Sequence, residues 1–300
     1  MHVIVPEAIT DGSLVTSNVA ETDYAAWSNV TAYAVGNRVI LTTGYHRVYE
    51  CIAAHTGRHP VTDPLALTTW LEVSATNCWK AFDQKLSDPV TRSGSITYTL
   101  APTTLVDSLV FLGLLASTLR VVVKDGATTI IDWTFDLVDR TDSVDWFSWF
   151  FDPIQYETEF LLQGFAALVG QTIEITIASA GTAKVGEIVM GRDRKLGDTG
   201  VGSAIGIKDY SRKDRDDFGN AIIVKRAFSD LSDFKFTFPA TDARRVKRIL
   251  ADLRATAAVY HAGADTTMFG TTVYGFYTQF DIPLTDRAIS FASLQVEGLV

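Results

Sequence analysis

The chain has 300 residues, 47% of them hydrophobic, which is enough for two or three domains with cores of their own. Its net charge of −9 argues against sequence-independent nucleic-acid binding, because such binding needs Lys and Arg to displace counterions. Its two cysteines, Cys51 and Cys78, form no Cys-x-x-Cys motif, and we expect two reduced thiols, with a disulfide between them as the alternative.

Residues 1–20 are predicted to form an extended N-terminal arm, apolar at Val3, Ile4 and Val5 and polar afterwards. The start of the chain has no basic segment followed by a long apolar run, so we expect no targeting signal and assembly in the cytoplasm. The longest apolar stretch, 105–123, is broken by charged residues and glycine, and we predict strands there rather than a membrane span.

Residues 21–80 are predicted to form a small β-module in which aromatic side chains make up for a small core. Short β-branched runs alternate with turn signals, and the aromatic residues between them are Trp27, Tyr33, Tyr49 and Trp70. This pattern resembles the small carbohydrate-binding modules of chitinases and the copies of that module in phage tail proteins.

Aromatic residues of the module admit two interpretations. Trp and Tyr rings stack on sugars, but in about sixty residues most of them must fill the core. We therefore expect one or two exposed rings to contact a glycan or host surface, and the candidates are Trp27, Tyr45 and Trp70.

Residues 81–195 are predicted to form an antiparallel β-sandwich, because short strands recur at regular spacing. The predicted strands are 95–100, 108–112, 118–123, 129–135, 172–178 and 184–190. Asp125-Gly126 predicts a hairpin turn between the third and fourth of them. Five aromatic residues within 146–151 cannot all face one core, so some of them are expected to point into a loop cover, a neighbouring domain or another subunit.

Residues 196–208 are glycine-rich and predict a flexible linker, since they match neither a P-loop nor a dinucleotide fingerprint. Residues 209–300 predict an α+β assembly domain with one long helix, whose apolar positions are Val246, Ile249, Leu250 and Leu253. The predicted fold is therefore mainly β and multidomain.

Candidate chemistry is sparse. His55 and His59 have the spacing of helical metal ligands, but Gly57 and Pro60 favour a loop, so we predict no metal site and no cofactor. The dense charges at 209–217 predict an ion-pair strip at an assembly interface, rather than acid–base or calcium chemistry; its residues are Arg212, Lys213, Arg215, Asp216 and Asp217. No catalytic constellation is identified in the sequence, and we expect no enzymatic activity.

Several separated motifs resemble a family of tail proteins from tailed phages and prophages of proteobacteria. They are Pro6-Glu-Ala-Ile-Thr-Asp-Gly, Ser17-Asn-Val-Ala-Glu-Thr-Asp-Tyr24, Thr76-Asn-Cys-Trp-Lys-Ala-Phe-Asp83, Val106-Asp-Ser-Leu, Asp209-Tyr-Ser-Arg-Lys213, Asp217-Phe-Gly-Asn220, Val273-Tyr-Gly-Phe-Tyr277 and Glu297-Gly-Leu299. The resemblance implies a virion component of the tail tip or baseplate, present in several copies, whose partners are other tail proteins and a host glycan. It implies no catalytic residues. Two alternatives stay open: a glycan- or peptidoglycan-degrading enzyme with a binding module, and a free carbohydrate-binding adaptor.

Overall fold

The computed structural model describes residues 1–139, 145–151, 153–215, 218–263, 271–283 and 288–299. In these ranges the protein is mainly β-structure in antiparallel sheets, as the sequence predicts. No helix in the described ranges is long and apolar enough to cross a membrane.

Strands account for most of the regular structure along the chain. The first strands are β1 (His2–Pro6), β2 (Leu14–Ser17), β3 (Ala32–Tyr33), β4 (Arg38–Leu41), β5 (Arg47–Cys51), β6 (His55–Thr56), β7 (Trp70–Ala75), β8 (Val90–Leu100), β9 (Val106–Leu112), β10 (Thr118–Asp125), β11 (Thr128–Asp136) and β12 (Val138–Asp139). They are followed by β13 (Gln155–Tyr156), β14 (Glu159–Ala167), β15 (Thr172–Val185), β16 (Glu187–Lys195), β17 (Asp198–Thr199), β18 (Ala204–Asp209), β19 (Arg212–Arg215), β20 (Ala221–Val224), β21 (Phe228–Pro239), β22 (Ala258–His261), β23 (Val273–Asp281) and β24 (Ile289–Gly298). The helices are α1 (Ala66–Thr69), α2 (Trp146–Phe151) and α3 (Ala243–Asp252), and single 3₁₀ turns lie at Lys80–Phe82 and Ala240–Asp242.

A ten-stranded sheet runs through most of the chain, in the order β14-β9-β16-β1-β22-β23-β24-β21-β17, with β18 also paired to β21. The segment predicted as an N-terminal arm supplies β1, which is hydrogen-bonded on both sides. Side chains alternate between the two faces of a strand, and Val3 and Ile4 are fully buried on opposite faces of the sheet. Because both faces of β1 are covered, this segment is an internal strand of the sheet. Glycine lets β16 approach β1, because a Cβ at Gly191 would lie 2.2 Å from the Val5 carbonyl oxygen.

A five-stranded sheet has the order β11-β10-β15-β8-β2. Its inward side chains share one hydrophobic cluster with those of β9, β14 and β16 from the ten-stranded sheet. The hairpin predicted at Asp125-Gly126 joins β10 to β11, and Gly126 takes the positive φ of 55° that the turn requires. Most predicted strands in this region are present with longer bounds, and β16 begins three residues later than predicted.

The C-terminal region packs α3 on the sheet formed by β21 to β24. Val246, Leu250 and Leu253 of the predicted helix are buried in a cluster with Phe234 and Phe236. The linker predicted over 196–208 is wrong in its conformation, because β17 and the start of β18 lie there and pair with β21. The regions 81–195 and 209–300 therefore contribute strands to one continuous sheet.

The aromatic module contains the three-stranded sheet β4-β5-β7 and the pair β3–β6. Its buried cluster contains Tyr33, Tyr49, Cys51 and Trp70. Cys78 lies outside it, in the cluster under the five-stranded sheet, and both cysteines are buried free thiols. Burial raises the pKa of the Cys78 thiol to about 11, so this side chain is protonated and unreactive at neutral pH.

Candidate functional site

A groove of about 560 Å³ lies on one side of the aromatic module. It is lined by Gly44, Tyr45, Arg47, Tyr49, Pro60, Val61, Asp63, Pro64, Ala66, Leu67, Trp70 and Glu72. These side chains come from the β4–β5 turn, from strands β5 and β7, and from the segment that runs from β6 through α1. The size and the mixture of rings with charged groups suit a small polar ligand such as a sugar.

Tyr45 is the exposed aromatic ring of this groove, with 41% of its surface accessible. It follows Gly44, whose φ of 73° allows the turn between β4 and β5 that carries the ring outward. Tyr49 is buried beside it, and burial raises the pKa of its hydroxyl to about 12. The predicted contact residue Tyr45 is thus presented to solvent next to a neutral phenol.

Trp70 lines the groove but is only 3% exposed. Its ring packs edge-on against Tyr33 and His55, at centroid distances of 5.1 and 4.9 Å, and its Nε1 donates to the Arg58 carbonyl at 2.9 Å. Trp27 donates to the same carbonyl at 3.1 Å and lies outside the groove lining. These bonds fix both indoles in the module, so Trp70 and Trp27 act mainly as framework.

Charged residues of the groove were not singled out from the sequence. Arg47 Nε lies 3.5 Å from Glu72 Oε1, and Asp63 also lines the groove. Carboxylates and guanidinium groups accept and donate hydrogen bonds, which is what sugar hydroxyls require. The His pair considered as metal ligands is separated instead: His55 packs in the module, whereas His59 Nδ1 accepts backbone N–H bonds from Val61 and Thr62.

A second candidate surface is a β-hairpin, which we call the hairpin arm (residues 204–228). It begins as β18 paired with β21, continues through the hydrogen bond from Tyr210 N–H to the Ala227 carbonyl, and ends as the separate pair β19–β20. All six residues of β18 and all four of β20 are exposed. The large exposed apolar residues on its strands are Ile205 at 60%, Ile207 at 67%, Ile222 at 49%, Ile223 at 70%, Val224 at 45% and Phe228 at 55%, and Tyr210 and Phe218 are exposed on the arm as well.

The predicted charged strip lies on this arm. Arg212, Lys213 and Arg215 are exposed on β19, and Arg212 Nε contacts Asp214 Oδ2 at 2.6 Å. Asp216 and Asp217 lie outside the described residues. The arm therefore presents cations and β-branched apolar side chains on the same two strands.

Helix α2 is a third exposed surface. Its apolar side chains are 52–80% accessible and contact one another, with Trp146 against Phe150 and Phe147 against Phe151. These residues do not enter the clusters beneath the sheets. Their exposure leaves contact with a neighbouring domain or another subunit as a prediction.

Two buried carboxyl groups lie where the module joins the ten-stranded sheet. Burial raises the pKa of Glu187 to about 8 and raises the pKa of Asp83 as well. The Asp83 side chain is 1% exposed, and Glu187 accepts the Gln84 amide N–H at 2.9 Å. Because both groups are enclosed, their burial is sufficient to explain the raised pKa values.

No protein-family model, curated protein or solved structure matches the chain.

Proposed function

We propose that this protein is a structural component of a bacteriophage tail tip or baseplate, and that it docks into the particle through the hairpin arm. The observation that carries this proposal is that β18 and β20 together expose five isoleucine and valine side chains. Large contiguous apolar surfaces on soluble proteins mark places where other molecules bind. The motifs that resemble phage tail proteins give the class of partner.

The arm combines the two properties of a specific interface. Burying its apolar side chains would contribute about 25 cal/mol for each Å² removed from water. Arg212, Lys213 and Arg215 would select a partner with complementary charge and fix the register of docking. Among the residues that the structure describes, β18 pairs only with β21, so its other edge offers backbone groups for pairing with a neighbouring chain.

The proposal assigns a different role to each of three regions of the chain. The five-stranded sheet and the strands β9, β14 and β16 that share its cluster would form the predicted β-sandwich over 81–195. The module at 21–80 would hold a glycan or another host-surface molecule in the Tyr45 groove. Residues 209–300 would serve assembly, and the domain boundaries themselves stay predictions.

Incorporation into particles tests the docking role. Ile223→Asp, and separately the double variant Arg212→Glu with Arg215→Glu, should reduce incorporation at least about tenfold, which corresponds to about 1.4 kcal/mol. Both variants should keep the circular dichroism spectrum and Tm of the parent, because these side chains are exposed. The measurement is the amount of this protein in purified particles after complementation of a host that lacks it.

A matched control separates the arm from exposed apolar surface in general. Val169, between β14 and β15, is 67% exposed, compared with 70% for Ile223, so Val169→Asp changes exposure and charge in the same way. Normal incorporation of Ile223→Asp, or equal loss with Val169→Asp, would refute docking through the arm.

A glycan-binding role for the module is a second function, favoured by the groove that brings Tyr45 beside Arg47 and Glu72. It would serve a tail protein and a free adaptor equally, and particle incorporation distinguishes these two hypotheses. The enzyme hypothesis has the buried pair Asp83 and Glu187 as its candidate carboxyl groups. Loss of polysaccharide or peptidoglycan hydrolysis in Glu187→Gln would favour the enzyme over the structural role.

A further inference from the structure

Three neighbouring strands at the centre of the ten-stranded sheet carry two histidines and an aspartate on one face. His2 of β1 lies directly opposite His261 of β22, and Asp193 of β16 lies opposite Ile4, two residues from His2 on the same face. Residues that are paired or diagonal across antiparallel strands have side chains within reach of one another. The sheet register therefore brings together three groups that are far apart in the sequence.

Contacts within this group are short. His2 Nδ1 lies 2.7 Å from Asp193 Oδ2, and His261 Nε2 lies 3.5 Å from Asp193 Oδ1. The two imidazole rings are stacked with centroids 5.2 Å apart. One nitrogen or oxygen from each of the three residues falls within 4.8 Å of the others.

His261 is the unusual member, because it is 1% exposed and neither ring nitrogen has a hydrogen-bond partner in the described part of the chain. Asp193 Oδ1, which points toward it, is also buried without a hydrogen bond there. Buried polar atoms without hydrogen-bond partners destabilise a folded protein. Native proteins rarely leave such atoms without a partner, and a bound ligand would supply one for the His261 nitrogens and for Asp193 Oδ1.

We propose that His2, Asp193 and His261 bind a divalent transition-metal ion of the zinc type, with solvent completing its coordination. Two imidazoles and a carboxylate are a ligand set for Zn²⁺ and its transition-metal neighbours, whereas Ca²⁺ and Mg²⁺ prefer oxygen ligands alone. Zn–N and Zn–O bonds of about 2.0–2.2 Å place tetrahedral ligand atoms about 3.4 Å apart. The distances between the candidate ligand atoms of His2, Asp193 and His261 lie both below and above 3.4 Å, at 2.7 and 3.5 Å and within 4.8 Å. Small rotations of these side chains would therefore bring the atoms to metal-binding positions.

Access and local charge also suit an ion. The side chains of His2 and Asp193 are 24% and 20% exposed, which opens the site to solvent on one side, while His261 forms its closed side. Lys195, which lies opposite His2 in the register, is paired with Asp198 at 2.6 Å. A bound ion would connect β16, β1 and β22, and so link the two halves of the sheet.

Metal titration of the full chain tests the site. After treatment with EDTA and its removal, the protein should bind one equivalent of Co²⁺ with visible d–d absorption, and Zn²⁺ should displace it and raise the Tm. Loss of an outer-shell partner weakens metal binding by about 10–100-fold. His2→Gln and Asp193→Asn each remove a direct ligand, so each should weaken Co²⁺ binding by more than that. His59→Gln, a histidine of the module, should bind like the parent.

Folding of each variant is checked by circular dichroism. His2 is partly exposed, so His2→Gln is the variant that keeps the test interpretable if His261→Gln fails to fold. Absence of saturable Co²⁺ binding by the parent would overturn the proposal. So would unchanged affinity in folded His2→Gln and Asp193→Asn, or loss of binding in His59→Gln. None of these outcomes depends on incorporation into particles, so the metal site and the proposed tail function are tested separately.

Discussion

Glu187 is a buried carboxyl group that should make the stability of the protein depend on pH. It is 3% exposed on β16, and burial raises its pKa from 4.5 to about 8, against the lowering effect of the Gln84 N–H bond. Between those two pH values the folded state holds a proton that the unfolded state has released. This group therefore lowers the free energy of unfolding as pH rises from about 4.5 to about 8, and its effect is constant above that range.

Glu187→Gln should flatten this dependence. Glutamine stays neutral and keeps an oxygen for the Gln84 amide, so we expect the variant to be about 2–4 kcal/mol more stable than the parent at pH 8. The two proteins should have similar stability near pH 4.5. Urea unfolding at several pH values measures the effect, and the exposed Glu157→Gln is the control. Equal slopes for parent and Glu187→Gln would contradict the assignment of a raised pKa to this group.

Tyr45 is the residue on which glycan contact through the module depends most directly. Tyr45→Ala should lower binding of soluble chitin oligosaccharides, or adsorption to host cells, by about 1–3 kcal/mol, if stacking on a sugar resembles stacking on a base. Its Tm should stay near that of the parent, because the ring is 41% exposed. Isothermal titration and a cell-adsorption assay supply the two readouts.

A second tyrosine of the module is a close control for that variant. Tyr24 is 40% exposed and accepts a hydrogen bond from Arg38, but it does not line the groove. Tyr24→Ala should leave glycan binding unchanged. If Tyr45→Ala binds like the parent, or loses binding only together with its fold, the groove is not the glycan site.

At the scale of elements, the outer part of the hairpin arm, residues 211–226, should be dispensable for folding. Its outer pair, β19–β20, is hydrogen-bonded to itself, and its side chains are outside the buried clusters in the described residues. Replacing residues 211–226 by Asn-Gly should join Tyr210 to Ala227, which already share a backbone bond, through a type I′ turn.

We expect this shortened protein to unfold in a single transition with a Tm close to that of the parent, and to be absent from particles. Differential scanning calorimetry and particle composition measure these outcomes. A broad or much lower transition would show that the outer arm supports the body, contrary to its exposure.

Elements with local signals could be predicted, and those set by distant pairing could not. Asp125-Gly126 specifies the β10–β11 hairpin, and the periodicity of Val246 to Leu253 specifies α3, because both signals lie within a few residues. The exposure of the run Ala-Ile-Ile-Val in β20 could not be predicted from the sequence, because runs of β-branched residues ordinarily predict a buried strand. The sequence of α2 shows only that its aromatic residues cannot all face inward.

The candidate sites could likewise be predicted only where the sequence carries a local signal. Tyr45 and Trp70 could both be named as candidate contact residues from the sequence, but the burial of Trp70 depends on packing against Tyr33 and His55, which the sequence does not show. The group of His2, Asp193 and His261 has no sequence spacing to reveal it. Only the register of three strands brings these residues together, and the sequence alone predicted no metal site.

For the whole molecule, β1 is the element that joins the two halves of the ten-stranded sheet. One neighbour, β16, continues to β9 and β14, and the other, β22, continues to β23, β24 and β21. Ile4 is fully buried in a cluster with Val110 and Val189 on one side and Val259 and Tyr274 on the other. The clusters beneath the five-stranded sheet and beneath α3 are separate, but the Ile4 cluster joins strands on both sides of β1, so we expect a single cooperative unit.

Ile4→Ala should therefore destabilise both halves together. Removing this buried side chain leaves a cavity at the junction, and we expect a loss of about 2–5 kcal/mol. Hydrogen exchange measured by mass spectrometry should show peptides of β8 and β15 losing protection by the same factor as peptides of β21 and β24. Ile154→Ala, at a position 66% exposed, should change neither. If β21 and β24 open while β8 and β15 keep their full protection, β1 does not couple the halves, and residues 81–195 fold as an independent domain.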